Sequence, residues 1–582
     1  MKINKEQKKL KIKKINGIIL LIILLIAAIL RLWKLGSIPP SLTSDEASLG
    51  YNAYSILKTG RDEYGQFLPI IFKSFGDYKP GLYVYTAVPF IAVFGLNEWS
   101  VRLPSALVGI IAVWLIYKII IEFSSKDGTQ LPTTNYQLLA KIAALMLSIS
   151  PWHIHFSRGA WEVNLALTLT LTGIYFFIKS LHKSSFLLLS STFFSLTFLT
   201  YQGAKLSSLI VIFVLIVTFW KEIRGRLGSS RSILAGSLVV GLVIVSPILF
   251  SFIYGKTGRL EVFSVFSYPR KEVDIQKVLA QGGEKAGNLS YYLFHSENLN
   301  FARGIMGRWF NHFSGRFLFF EGDYQNPRHS VPNHGMLLLF DLILIPMGLI
   351  SMIKRKTILS VFILFWLVLA PLPAVLSRDQ VHAVRALNMV VPLTLISAIG
   401  LEYLWLKVAR VEGVNRNTPD GWYRFAPVTL LILLGSSLIY YLDVYFVHLP
   451  KHNSKEWEYG YKQIVETVTP IQGDYVNIKV QQSFAQPYIY FLFYQKYDPA
   501  KYQEQALLVE SEYKYDVGYI EKLDNICFCA IDFPQNKKEH GSLVVADDIR
   551  IPKTELNSDS VNLIKEISYL NGEIAFRIVV IE

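Results

Sequence analysis

Apolar residues in this chain fall into runs of roughly 18–22 that are almost free of charge, about the length that carries a helix across the hydrocarbon core of a bilayer. The runs are apolar all round rather than along one stripe, which separates them from the core helices of a soluble protein. Of 582 residues, 52% are hydrophobic and only 18% are charged, where a soluble domain carries about a quarter. A single soluble enzyme, a disordered chain and a disulfide-built scaffold are thereby excluded.

Eleven spans are predicted, at 17–35, 103–122, 142–156, 163–181, 185–201, 206–220, 232–254, 335–353, 357–376, 386–406 and 426–447. Seven lysines within the first 14 residues precede the first run, the pattern of a retained cytoplasmic anchor rather than a cleaved signal peptide. The run Gly81–Gly95 has 15 residues and contains Pro89, which suits an interfacial or re-entrant helix better than a span. With that run left out and the N-terminus cytoplasmic, the inner segments hold 21 Lys and Arg and the short outer loops hold 4. The net charge of +14 therefore reads as topology rather than as nucleic-acid binding.

This arrangement divides the chain into a basic cytoplasmic N-terminus (1–16), a transmembrane unit (17–447) with long outer loops at 36–101 and 255–334, and an outer tail (448–582). The tail reads as a small α/β domain. It has a helix at Glu456–Val468, strands at Tyr475–Val480 and Leu543–Ala546, and a final hairpin over Ile564–Ile581 turning at Asn571-Gly572. Cys527 and Cys529 are two apart, too close for an easy disulfide, and read as two ordinary thiols in a strand.

Chemistry concentrates on the outer loops. In the first, Asp45 and Glu46 follow Ser44, read as a helix N-cap, so both acids sit where the helix dipole favours their ionised forms. An ionised carboxylate there can take a proton from a hydroxyl or hold a cation. Lys79 and Arg102 bracket the Gly81–Gly95 segment on the same side. The second short loop carries Arg158 and Glu162, four residues apart, beside His153 and His155. Ionisable groups at membrane depth usually face a protein interior or an aqueous cavity. Two further clusters, Gly322–His329 with Tyr324 and His329, and Ser377–Arg385 with His382 and Arg385, add cations and imidazoles. Arginine suits phosphate because its planar fork bonds two oxygens. One face thus combines carboxylates with arginines, which suits an anionic, lipid-borne substrate. No Walker loop or dinucleotide fingerprint occurs.

These residues resemble the GT-C glycosyltransferase superfamily, in the branch of protein O-mannosyltransferases and the lipid A aminoarabinose transferase. The resemblance rests on Asp45-Glu46-Ala47, Tyr78-Lys79-Pro80-Gly81-Leu82-Tyr83, Phe94-Gly95 through Arg102-Leu103-Pro104-Ser105-Ala106-Leu107, and Ser150-Pro151-Trp152-His153 through Phe156-Ser157-Arg158. It covers residues 31–175 firmly and extends loosely to about 406. The resemblance implies a polytopic, mainly helical enzyme that draws a sugar from a polyprenyl phosphate at the outer face of the cell membrane. It maps the essential first-loop acid onto Asp45, with Glu46 beside it. The lysine of the KPP-like motif maps onto Lys79, and the first-loop arginine onto Arg102. Arg158, Tyr324, His329, His382 and Arg385 are further substrate-binding candidates. Glu162 stands near where many relatives carry an aspartate. This chain has Gly81 where the family usually has a second proline.

The reading is an inverting transfer of a hexose or pentose from the carrier to a hydroxyl on protein, lipid or cell-envelope glycan. Asp45 would act as base, and Lys79, Arg102 and Arg385 would neutralise the leaving phosphate. No metal is obligatory, although a divalent cation held by Asp45 and Glu46 is compatible with the residues. The rival readings are a transporter or flippase of lipid-linked sugars and a non-catalytic envelope scaffold.

Overall fold

The computed structural model describes residues 2–124, 135–226, 231–254, 264–414, 425–483, 485–510 and 517–582. Segments 125–134 and 415–424, which enter the charge count above, lie outside the described residues, as do 255–263 of the second long loop. Among the described residues seven helices are long and apolar enough to cross a membrane: Lys14–Leu32, Glu98–Ser124, Glu162–Ser180, Arg231–Ile253, Ile358–Val375, Leu387–Lys407 and Pro427–His452. The pair Tyr136–Ser148 and Pro151–Ser157, bent by 58°, makes an eighth when counted as one broken span, and is otherwise a re-entrant loop. The bend falls where Ser150 caps and Pro151 opens the second helix, since proline lacks the backbone donor that a straight continuation needs.

The predicted count of eleven is therefore not reached. The runs at 185–201 and 206–220 form the helices Phe186–Phe198 and Gln202–Thr218, of 13 and 17 residues, about 20 and 26 Å long. The run at 335–353 is helical only from Asp341, because its first residues are spent on turns. Gly81–Gly95 supplies the 13-residue helix Leu82–Phe94, shorter than the roughly 30 Å that a span must cover.

Between the first span and Ser44 the chain runs as turns and irregular backbone, whose carbonyls have no helix or sheet to pair with. Buried arginines supply the donors. Arg102 donates to the carbonyls of Leu35 (3.2 Å), Pro39 (2.9 Å) and Ser41, and to both oxygens of Glu46 at 2.9 and 3.0 Å. Arg158 donates to Leu30 (2.8 Å), Trp33 (2.6 Å) and Ile38 (3.0 Å), with its guanidinium over the Phe446 ring. Arg31 joins the first span to the bent pair through the carbonyls of Leu147 and Ser148 and Nδ1 of His153. All three arginines are fully buried. A buried backbone group left unpaired is costly, so these side chains do the work that secondary structure does elsewhere.

The tail and the first loop share one apolar core. Tyr51, Phe75 and Tyr83 of the loop pack with Tyr488, Phe491 and Phe528 of the tail. The tail helix Pro487–Tyr494 is almost wholly buried and lies on the loop helix Ser44–Thr59. That approach requires glycine at position 50, where a Cβ would stand 2.6 Å from Phe493 and Val101. The tail sheet has six strands in the order Lys522–Leu523, Ile526–Cys529, Ile478–Gln481, Ser542–Ala546, Ile574–Ile581, Val561–Ser568. Ile478–Gln481 runs parallel to both neighbours, and the last two strands form the predicted hairpin at Asn571-Gly572. Cys527 and Cys529 are joined as a disulfide rather than free. Residues two apart on a strand project to one face, and these Cα atoms, 5.6 Å apart, lie within disulfide range.

Arg102→Met should unfold well below wild type, because a stranded buried charge costs about 3–5 kcal/mol. The double variant Glu46→Met/Arg102→Met should stay well below wild type as well, since three loop carbonyls remain without donors. Full recovery in the double variant, measured by thermal unfolding in detergent, would assign the whole effect to the ion pair. Between loop and tail, buried Glu63 accepts from Asn52 (3.0 Å) and Tyr488 (3.5 Å), and burial pushes its carboxyl up to about 8. Such a group costs nothing below its unfolded value of 4.5 and weakens folding as the pH rises toward 8. Glu63→Gln should therefore raise the unfolding temperature by several degrees at pH 8, with the gain fading by pH 5.

Candidate active site

The helix Ser44–Thr59 begins with a capping box. Thr43, not Ser44, is the N-cap: its hydroxyl accepts from the Glu46 amide at 3.3 Å, while Glu46 accepts from the Thr43 amide at 3.1 Å. The box needs an acid three residues after the cap, which Thr43 has and Ser44 lacks. It turns Glu46 inward, where the Ala160 amide donates to it as well, at 2.8 Å. Asp45, one residue earlier, is rotated about 100° around the helix and faces a cavity of about 790 Å³.

Asp45 keeps 47% of its side chain open. Lys79 Nζ donates to its Oδ1 at 2.5 Å, and Oδ2 has no hydrogen-bond partner among the described residues. Lys79 reaches this point from a short hairpin in which Ile71–Ser74 pairs with Asp77–Pro80 and Phe72 stands opposite Lys79. The Lys79 ammonium beside it holds the Asp45 carboxyl below the usual carboxylate range, against the opposing effect of burial. Burial works against the Lys79 charge, but Asp45 and the nearby Glu162 outweigh it and hold the ammonium above its ordinary range.

The same cavity collects residues far apart in the chain: Glu162 from the start of the helix Glu162–Ser180, Tyr201 and Gln202, then Arg328 and His329, His382 and Arg385, and Glu458 of the tail. Arg385 donates to Asp379 at 2.9 Å. Arg328 has no ion pair among the described residues, and its charge acts on Asp45 and Glu458. The Glu458 carboxylate accepts from the Ser44 amide at 2.6 Å and from the Tyr490 hydroxyl, which fixes the start of the Asp45 helix from the tail side. Asp323, His329 and His382 offer three ligand atoms within 4.8 Å of one another, so a cation could be held there. Asp323 also accepts from the Ala383 amide at 2.8 Å and from Asn326 at 3.0 Å. Burial pushes both imidazoles below their ordinary range, that of His382 furthest.

Of the candidate residues, the structure brings together Asp45, Lys79, Glu162, His329, His382 and Arg385. Four others stand away from the cavity. Glu46 and Arg102 are consumed by each other and by loop backbone, which also removes Asp45 and Glu46 as a shared cation site. Arg158 is turned toward the first span. It is not on one helix with Glu162, because Gly159–Trp161 breaks the chain between them. Tyr324 faces Arg316, whose guanidinium lies 3.9 Å from the ring centre. The sequence reading overlooked Arg328, Tyr201 and Glu458. Arg328 is adjacent to His329 in a stretch already singled out. Glu458, at a positive φ of 54°, carried no local signal.

Residues 78–250 match a protein-family profile described as dolichyl-phosphate-mannose-protein mannosyltransferase. Two proteins of Bacillus subtilis (strain 168) are similar over part of the chain. "Putative mannosyltransferase YkcB" is 26% identical over 32% of this chain and 24% of its own length. "Putative mannosyltransferase YycA" is 24% identical over 30% and 23%. The chain thus aligns with about a quarter of the length of these relatives. Among solved structures, ArnT from Cupriavidus metallidurans in the apo state superposes with a TM-score of 0.50 at 13% identity, covering 97% of both chains. The same protein bound to undecaprenyl phosphate gives 0.50 at 12%, covering 96% of this chain and 97% of that one. The chain thus shares the fold of ArnT over 97% of its length, and its segment 78–250 resembles the mannosyltransferase family within that fold.

Proposed function

We propose that the protein transfers a sugar from a polyprenyl-phosphate carrier to an acceptor hydroxyl, with inversion, at the membrane face that bears the first loop and the tail. The observation that carries this reading is Asp45: a carboxylate at a helix N-terminus, held ionised by Lys79, with one oxygen open to a large cavity that also contains unpaired Arg328. The relatives named as mannosyltransferases and the ArnT complex with undecaprenyl phosphate support a lipid-phosphate donor.

In this mechanism the acceptor hydroxyl gives its proton to Asp45 Oδ2 as its oxygen bonds to the anomeric carbon. The bond from that carbon to the carrier phosphate breaks, and the phosphate leaves with the electron pair. Arg328 and Arg385 take the developing negative charge, a role that preorganised cations fill without reorganising at the moment of reaction. Arg328 takes the place expected of Arg102, which is locked in the loop. Lys79 keeps Asp45 ionised and aimed. Glu162 offers a second carboxylate to the sugar hydroxyls. Asp323, His329 and His382, which could hold a cation, lie next to Arg328 and Arg385, where a divalent ion, if bound, would add positive charge. The tail contributes Glu458 and Gln486 to the acceptor side of the cavity.

With radiolabelled polyprenyl-phosphate sugars in proteoliposomes, wild type should release the lipid phosphate. Asp45→Asn should lose about 10²–10⁴-fold while unfolding at the wild-type temperature. Arg328→Gln should lose about 10²-fold. Equal turnover by wild type and Asp45→Asn would remove Asp45 as the base. No turnover of any donor by wild type would favour the transport or scaffold reading. The Lys79 ammonium holds the Asp45 carboxyl below the usual carboxylate range, so removing that charge lets the carboxyl protonate at a higher pH. Lys79→Gln should therefore move the acid limb of the pH–activity profile upward as well as slowing turnover; an unmoved limb would remove Lys79 as the group that keeps Asp45 ionised.

A further inference from the structure

A second cavity, of about 600 Å³, lies away from the Asp45 site among the helices Glu162–Ser180, Phe186–Phe198, Gln202–Thr218 and Arg231–Ile253. It sits at the opposite end of the bundle. Gln202, which opens the helix Gln202–Thr218, lines the Asp45 cavity, while Trp220 and Ile223, past that helix's other end, line this one. Its walls are chiefly leucine, isoleucine and phenylalanine, with several serines. The serines do not make it a polar site. Ser180, Ser190, Ser191 and Ser237 donate to the carbonyls of Phe177, Gly173, Ser237 and Ile233, so their polarity is spent on backbone. What remains is a groove that would hold hydrocarbon rather than ordered water.

Four basic residues adjoin groove-lining positions along the chain. Lys183 adjoins Ser184, Lys221 adjoins Trp220, Arg224 adjoins Ile223, and Arg231 lies one turn before Leu234. In each pair the second residue lines the groove. All four basic residues are exposed, and none has an ion-pair partner among the described residues. Trp220, half-exposed, also lines the groove next to Lys221 in the chain, and tryptophan is enriched at membrane interfaces. An apolar cleft between apolar helices, next to exposed cations that have no ion pair among the described residues, complements a molecule with acyl chains and a negatively charged head.

We infer that this groove is a binding site for an anionic glycerophospholipid, its acyl chain between the helices and its phosphate headgroup at Lys183, Lys221, Arg224 and Arg231. The site is separate from the carrier cavity and does not depend on the transfer reaction proposed above. The lipid would complete the packing of the helix Arg231–Ile253, which buries few of its own side chains.

Native mass spectrometry of the full-length protein, titrated with phosphatidylglycerol or phosphatidylethanolamine of the same acyl chains, tests the inference. One phosphatidylglycerol should bind with at least about fivefold preference, the scale set by a basic residue at an anionic surface. Lys183→Gln/Lys221→Gln/Arg224→Gln/Arg231→Gln, all at exposed positions, should remove the preference and leave occupancy by neutral lipid. Leu187→Trp/Leu238→Trp, filling the groove, should remove the bound lipid. Equal binding of both lipids by wild type would overturn the assignment without reference to any variant. So would selective retention of a polyprenyl phosphate that Leu187→Trp/Leu238→Trp abolishes, since the groove would then belong to the carrier's tail. Neither result depends on turnover, so this assignment and the catalytic reading can fail separately.

Discussion

The architecture of the reactive face depends on how irregular backbone is satisfied just above the first span. Residues 33–43 leave the membrane as turns, and their carbonyls would be orphans in a low-dielectric surrounding. Arg102 and Arg158, from two other segments, insert between them. A guanidinium has five donors in a rigid fork and stays charged when buried, so one side chain can serve several carbonyls and a carboxylate. Glu46 closes the arrangement by matching the Arg102 charge. A lysine could not, because its three donors radiate from one point.

That constraint gives adjacent acids opposite fates. Glu46 is committed to structure, and the same helix turn then points Asp45 into the cavity. The half-open Asp45 carboxylate has one oxygen on Lys79, and the other has no hydrogen-bond partner among the described residues. The tail secures the arrangement from the opposite side. Its Glu458 accepts the Ser44 amide, and its buried helix Pro487–Tyr494 rests on the loop helix at Gly50. The tail therefore shares the core of the first loop and forms one wall of the candidate active site.

Much of this was legible in the chain itself. Charge-free apolar runs announced the bundle, the lysine-rich start oriented it as an expectation, and Asn571-Gly572 marked the final hairpin. Asp45, expected as the base, and Lys79, expected at the carrier phosphate, both line the large cavity. Glu46, Arg102 and Arg158 were expected to be functional because ionisable residues at membrane depth often are, whereas the structure spends them on backbone and on one another. Thr43-x-x-Glu46 is a capping signature visible in the sequence, and it already argued that Glu46 was spoken for. Arg102 and Arg158 gave no such hint, because their carbonyl partners lie between 61 and 128 positions away. Arg328 and Glu458 reach the cavity only through tertiary folding. Helix lengths around 185–220 and 335–355 were overestimated because apolarity continues through turns that hydrogen bonding does not.

The central claim is that the cavity facing Asp45 receives a lipid phosphate between Arg328 and Arg385. A cryo-electron microscopy structure of the protein in nanodiscs loaded with polyprenyl phosphate tests it most directly. The account predicts phosphate density within hydrogen-bonding distance of both guanidinium groups, with the open side of Asp45 facing it. Phosphate density outside this cavity, or at Arg102 and Arg158 with their loop carbonyls released, would contradict it.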